Sequence, residues 1–216
     1  MDYKVKIGFA PTRRRIFSVE DALKYKKLIA DKLKSLDITF VDIEDINEEG
    51  LLRGADDVQP IIDKFTREKV DALFIPHCNF GSEHSCGKLA RALQVPVLLW
   101  GPRDEAPLPD GSRLRDSQCG LFATGKVLRR MQVPFTYLPN CSVDDSCFTE
   151  GIRRFEATAN VVREFRRARI LQISTRPADF WTMMCNEGEL LERFNIQLFP
   201  ISMTCLLYTS PSPRDA

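Results

Sequence analysis

The sequence predicts an α/β fold: a three-layer α/β/α sandwich around a mainly parallel, Rossmann/flavodoxin-like sheet of about six strands. Three observations predict it. Strand-like apolar runs alternate with helix-period segments along the chain, the pattern of parallel βαβ units. The runs at 71–76 and 95–100 are apolar without alternation, as strands buried on both faces are. The segments that follow the strands are polar, and in an open parallel sheet ligands bind outside the carboxyl ends of the strands.

Each element follows from its residues. Lys4-Val5-Lys6-Ile7-Gly8-Phe9-Ala10 alternates and stops at Pro11, as a first strand would. Ser18, with Asp21 three residues on, is placed to cap a helix whose apolar face is Ala22, Tyr25, Ile29 and Leu33. Residues 38–43 read as a second strand, 57–69 as a helix with Val58, Ile61, Ile62 and Phe65 on one side, and 71–76 as a third strand. A helix near 85–93 leads to the fourth strand, a polar loop at 101–116 to a helix near 118–131, and residues 133–138 form the fifth strand. A long helix near 148–167 precedes a sixth strand at 169–173, and 181–201 reads as the opening of a further unit.

Composition narrows the function classes. The 216 residues carry 31 Lys and Arg against 30 Asp and Glu, a net charge of +1. Such a balance argues against a nucleic-acid partner, which calls for a basic surplus. No apolar run approaches the length that spans a bilayer, so no membrane partner is expected. The first residues lack the apolar core of a secretory signal, and the seven Cys have no framework spacing, so reduced thiols in a cytoplasmic protein are expected.

The last dozen residues read differently. Cys205-Leu206-Leu207-Tyr208-Thr209-Ser210-Pro211-Ser212-Pro213-Arg214-Asp215 is a short apolar stretch followed by a Ser/Pro run that continues neither a helix nor a central strand. It also matches the translation of a transposase sequencing adapter, and such scars are set apart from fold reasoning. The expected organisation is therefore an N-terminal α/β domain at 1–175, the truncated start of a second at 176–204, and a non-native tail at 205–216. The natural protein is expected to continue beyond about residue 204 in place of that tail.

The post-strand loops gather hydrogen-bonding side chains of both charges, which suits a polyhydroxylated ligand, although loops are also polar simply because they are wet. Arg13, Arg14 and Arg15 offer forked donors for phosphate or sugar oxygens; Arg15 reads better as a solvated charge. His77, Cys78, His84 and Cys86 suggest zinc, but their spacing lies outside the usual patterns. Cys147 and Arg153 match the spacing of a phosphatase loop without the glycines that let backbone N–H groups wrap a phosphate. Neither G-x-G-x-x-G after the first strand nor G-x-x-x-x-G-K-[ST] is present, which removes the main support for dinucleotide or nucleoside triphosphate binding. Trp100, at a strand end, reads better as a buried aromatic than as a sugar-stacking one.

Four segments at these loops carry a resemblance: 6–14 (Lys-Ile-Gly-Phe-Ala-Pro-Thr-Arg-Arg), 76–83 (Pro-His-Cys-Asn-Phe-Gly-Ser-Glu), 100–107 (Trp-Gly-Pro-Arg-Asp-Glu-Ala-Pro) and 181–188 (Trp-Thr-Met-Met-Cys-Asn-Glu-Gly). The chain resembles the fucose/arabinose isomerase-like family of sugar isomerases, over the N-terminal part of a longer enzyme. Members have a strand ending Ile-Arg-Pro-Thr and another followed by Pro-Cys-x-x-x-Gly-Ser-Glu. The resemblance implies an aldose–ketose isomerase using a divalent metal, usually manganese, with a hexameric assembly in which this domain closes over a neighbour's site. It places the metal ligands in later domains, so no catalytic or metal-ligating residue and no bound cofactor is expected in this chain. Carried over by motif, the candidate sugar contacts are Arg13, Arg14, Asn79, Phe80, Glu83 and Arg103. Asn79-Phe80 replaces a Trp of the family pattern, which bears on which sugar is bound. A non-catalytic sugar-binding or regulatory module of the same fold is the alternative. A flavodoxin-like electron carrier would need a flavin-phosphate cradle after the first strand, for which Thr12 and three arginines are a poor match.

Overall fold

The computed structural model describes residues 4–209, and the chain divides into two compact units, Met1–Asn160 and Val161–Ala216. In the first, strands β1 (Ile7–Phe9), β2 (Phe40–Val41), β3 (Ala72–Pro76), β4 (Val97–Trp100) and β5 (Phe135–Tyr137) form one parallel sheet in the order β2-β1-β3-β4-β5. Helices α1 (Val19–Ser35), α2 (Val58–Arg67), α3 (Glu83–Leu93), α4 (Ser117–Arg130) and α5 (Ser146–Arg166) provide the connections.

Period-2 geometry explains why β3 and β4 are apolar throughout. Ala72 and Phe74 of β3 and Leu98 and Trp100 of β4 point to one face, where they meet Ile29 and Leu33 of α1 and Phe148, Ile152 and Phe155 of α5. Leu73, Ile75, Val97 and Leu99 point to the other face, against Ile61 and Phe65 of α2, Leu89 of α3 and Leu121 and Leu128 of α4. Strands β1, β3 and β4 are therefore buried between two helical layers, while the edge strands β2 and β5 are partly exposed. In β1 the second face belongs to Gly8, where an added Cβ would lie 2.8 Å from the Phe65 ring. Phe65 fills the space that a side chain at position 8 would otherwise take.

The edges are shorter than the sequence suggests. Instead of 38–43, β2 keeps only Phe40–Val41, because the chain turns at Asp42, whose Oδ1 accepts the Glu44 N–H. Instead of 133–138, β5 keeps only Phe135–Tyr137; at its start Pro134 lacks the N–H a longer ladder would use. Ser18 caps α1 as expected, its Oγ accepting the Asp21 N–H at 3.1 Å.

The sixth strand exists but does not extend this sheet. In the second unit, β6 (Arg169–Ile173) pairs in parallel with β7 (Gln197–Ile201), with α6 (Glu187–Phe194) between them as one βαβ unit. Helix α7 (Met203–Thr209) follows, so the apolar start of the suspected tail is helical, while 210–216 lies outside the described residues.

Replacing Phe65 by Ala should empty the space over Gly8 and destabilise the first unit by about 3–5 kcal/mol, read as a lower urea midpoint.

Candidate functional site

In a sheet of order 2-1-3-4-5, the connections leave β1 and β3 in opposite directions, opening a crevice at their carboxyl ends. The loops after β1 and β3 meet there, and Thr12 and Asn79 join them.

Beyond β1, the Thr12 N–H donates to Pro76 O at 2.9 Å, and its own carbonyl accepts the Cys78 N–H at 3.0 Å. Its hydroxyl donates to Leu52 O at 2.8 Å and accepts the Ser82 N–H at 3.0 Å. One buried threonine thus ties the loops after β1, β2 and β3. Asn79 is fully buried. Its Oδ1 accepts the N–H groups of Arg14 (2.8 Å), Phe80 (2.5 Å) and Gly81 (3.3 Å), and its Nδ2 donates to Ser18 O at 3.2 Å. Burying those backbone groups without a partner would be costly, and the side-chain amide removes that cost.

Two glycines permit the approach. Gly81 has φ +81°, and an added Cβ would lie 2.6 Å from the His77 ring. At Gly120, in the first turn of α4, a Cβ would sit 1.7 Å from the Phe80 carbonyl oxygen. Helix α4 therefore lies directly on the β3 loop.

The six expected contact residues separate into distinct roles. Arg14 and Phe80 come together, the guanidinium carbon 4.5 Å from the ring centroid, and Phe17 stacks near-parallel to Phe80 at 5.6 Å. All three are half-buried, a cationic–aromatic ledge at the crevice. Glu83, the first residue of α3, is half-buried, and its carboxylate makes no hydrogen bond or ion pair with the described residues. Arg103 lies in the β4–α4 loop, its side chain 75% exposed and 3.8 Å from Asp145. Arg13 turns away, and its Nε and Nη2 bond both oxygens of Glu49 at 2.5 and 2.6 Å. Asn79 has its amide committed to backbone groups, as described.

Several sequence suggestions end here. Trp100 is fully buried against Phe148. Cys147 and Arg153 sit on α5, so no phosphate loop forms. Among the described residues, no group of three or more His, Cys, Asp and Glu side chains is arranged to hold a metal ion. Burial pushes the Cys78 thiol far up and that of Cys86 to about 12, so neither offers a thiolate near neutral pH. His77 is also buried; its Nε2 is 2.9 Å from Thr124 Oγ1, and desolvation lowers its pKa from 6.5 to about 4. Buried and uncharged, these side chains do not fit a manganese site.

Residues that local pattern does not flag complete the frame. Asp104 caps α4 by accepting Ser117 N–H (2.9 Å), Ser117 Oγ–H (2.8 Å) and Gln118 N–H (3.0 Å). Arg115, 2% exposed, bonds Asp21 at 2.5 Å and Glu105 at 2.6 Å and lies 4.6 Å over the Tyr25 ring. It pins the long β4–α4 loop to α1. Asp21 and Arg115 are far apart in sequence, and no spacing rule links them.

The fold is a parallel α/β sandwich with a crevice at the carboxyl ends of β1 and β3, and among the described residues no nucleotide-phosphate loop follows β1. The family model for the fucose/sulfoquinovose isomerase N-terminal domain matches residues 8–166, and the chain belongs to that family. The search of curated proteins found no match. Among solved structures, the chain is similar to an ABC-transporter periplasmic solute-binding protein from Actinobacillus succinogenes 130z with bound D-allose. The two are 13% identical with a TM-score of 0.31, over 92% of this chain and 59% of that one, a likeness too distant to bear on this chain's ligand. No described helix is long and apolar enough to cross a membrane.

Two outcomes follow. Arg115→Met leaves the buried Asp21 carboxylate uncompensated and should lower stability by about 3–5 kcal/mol, measured by denaturant titration. His77 resists protonation when folded, so the unfolded chain binds the extra proton as pH falls from 6.5 towards 4. Its contribution, full above pH 6.5, should be lost across that window, on the order of 3 kcal/mol. His77→Gln should flatten that part of the stability–pH curve.

Proposed function

We propose that this chain is the substrate-closing and oligomerisation domain of a cytoplasmic, metal-dependent aldose–ketose isomerase of the fucose/arabinose isomerase type. The family match over 8–166, on the same loops that build the crevice, carries this reading. In the parent enzyme a divalent metal such as manganese, held outside this chain's described residues, would supply Lewis-acid chemistry to the sugar's oxygens.

The chain's own residues bind and orient the sugar. Arg14 presents paired donors to vicinal hydroxyls. Phe80 offers an apolar ring face to the C–H side of the pyranose or open-chain sugar. Glu83 accepts from a hydroxyl, and Arg103 reaches in from the neighbouring loop. Arg13 and Asn79 act one step back, holding the loops that carry the ledge. Closing this domain over a neighbouring subunit's site would exclude water from the reacting carbons.

Titration of the isotopically labelled chain with aldoses such as L-fucose should shift Arg14, Phe80 and Glu83 amide resonances. Arg14→Ala should weaken binding by about tenfold, the worth of one charge-assisted bond. With manganese added, the chain alone should form no ketose. Ketose formation by this chain, or shifts confined to other loops, would overturn the assignment.

A further inference from the structure

The sheet of the first unit ends at β5, which pairs with β4 alone. The Leu138 N–H donates to Leu99 O at 3.0 Å, and successive residues of a parallel strand turn their backbone groups to opposite sides. Thr136 and Leu138 therefore face β4, while Phe135 and Tyr137 direct their N–H and C=O groups away from the sheet. Among the described residues nothing pairs with those outward groups. Pro139, next in the outward series, has no N–H, which confines the open donors to Phe135 and Tyr137.

A cavity lies on each face of this edge. On the α4 side, Leu121, Phe122, Phe135 and Tyr137 line about 420 Å³ together with Lys126 and Arg129. On the α5 side, Thr136, Leu138, Pro139, Glu150 and Phe155 are among the residues that line about 460 Å³. Phe122 is 63% exposed and Tyr137 41% exposed, so folding of this unit leaves aromatic surface uncovered beside the open edge.

Charge decides what fits there. Helix α4 contains no Asp or Glu, and Lys126 and Arg129, one turn apart, make no ion pair or side-chain hydrogen bond with the described residues. The strand itself carries no charge that would guard its edge. A second copy pairing through β5 would be related by a two-fold axis perpendicular to the sheet. That symmetry sets α4 beside its own copy and brings like charges together, which is unfavourable. An acidic segment gains from the same two cations.

We propose that β5 is a docking edge for an extended acidic–apolar segment of a partner protein, which adds to this sheet as a further strand. The segment's backbone bonds the outward groups of Phe135 and Tyr137. Its side chains alternate between the two cavities. On the α4 face an aromatic or branched apolar group covers Phe122 and Tyr137, and an Asp or Glu meets Lys126 and Arg129. On the α5 face apolar groups lie against Leu138 and Phe155. Strand β4 and β3 stand between this edge and β1, so the docking does not depend on the sugar-binding reading of the crevice.

The probe is a capped, fluorescent hexapeptide Val-Phe-Val-Asp-Val-Asp, titrated with the folded chain and read by anisotropy. Binding should shift the amide resonances of 135–137 and of the α4 face at Phe122, Lys126 and Arg129. The peptide with Lys in place of both Asp should bind about tenfold more weakly. N-methylation of alternate peptide residues tests strand addition with the protein unchanged: one alternate set should abolish binding and the other should leave it within about twofold. The double variant Lys126→Glu with Arg129→Glu, both at exposed positions, should weaken binding by about tenfold and leave the urea midpoint unchanged. Equal binding of the acidic and basic peptides, indifference to both methylation patterns, or shifts away from β5 and α4 would overturn the proposal. So would a dimer of the chain, seen by sedimentation, that the peptide drives apart, because a second copy would then be the occupant of the edge.

Discussion

The crevice depends on the way two loops are held without a strand between them. Past β1 and β3 the sheet has ended, yet the backbone there is buried and its polar groups still need partners. Thr12 and Asn79 supply them. The Asn79 amide takes backbone donors from both loops and gives a donor to the start of α1. The Thr12 hydroxyl does the same between the β2 and β3 loops. With those partners fixed, the positions of Arg14 and Phe80 follow, and so does the seat of α4 on the Phe80 carbonyl.

A polar side chain at the carboxyl edge of a parallel sheet can hold the loops or face the opening, and this crevice shows both. Arg13 and Arg14 are adjacent, yet one guanidinium is locked on Glu49 and the other lies on an aromatic ring at the opening. Motif matching treats them alike; the partner decides. Asn79 stands in a segment shared with the family pattern, but its amide is spent on the backbone. What it does is place Phe80, whose N–H it accepts.

The strand and helix order was readable because burial on two faces leaves a continuous apolar run and helices leave a 3.6-residue period. Edge strands were less readable. Ile38 and Ile43 are buried apolar residues flanking β2, so the pattern extends past the ladder, which ends for hydrogen-bonding reasons at Asp42. The sixth strand was readable as a strand but not as a member of a second sheet, since pairing with β7 is decided by chain beyond it. At the site, the loops were readable from topology, and the residues holding them were not. Asp21 sits in an ordinary helical first turn and Arg115 in an ordinary polar loop, and only their meeting makes a buried pair.

Partners also explain the heavy build of the β4–α4 loop. It runs from Gly101 to Asp116 with no helix or strand of its own, and a loop of that length without anchors would be mobile. Three anchors oppose this: Asp104 on the α4 N-terminus, Asn140 on Pro102, and Arg115 on α1. Burying Arg115 carries a desolvation cost that two carboxylates and the Tyr25 face offset. A surface loop needing only solubility would have no reason to bury a guanidinium. In the proposed function that anchoring holds Arg103 beside the sugar while the loop's far end stays fixed against α1.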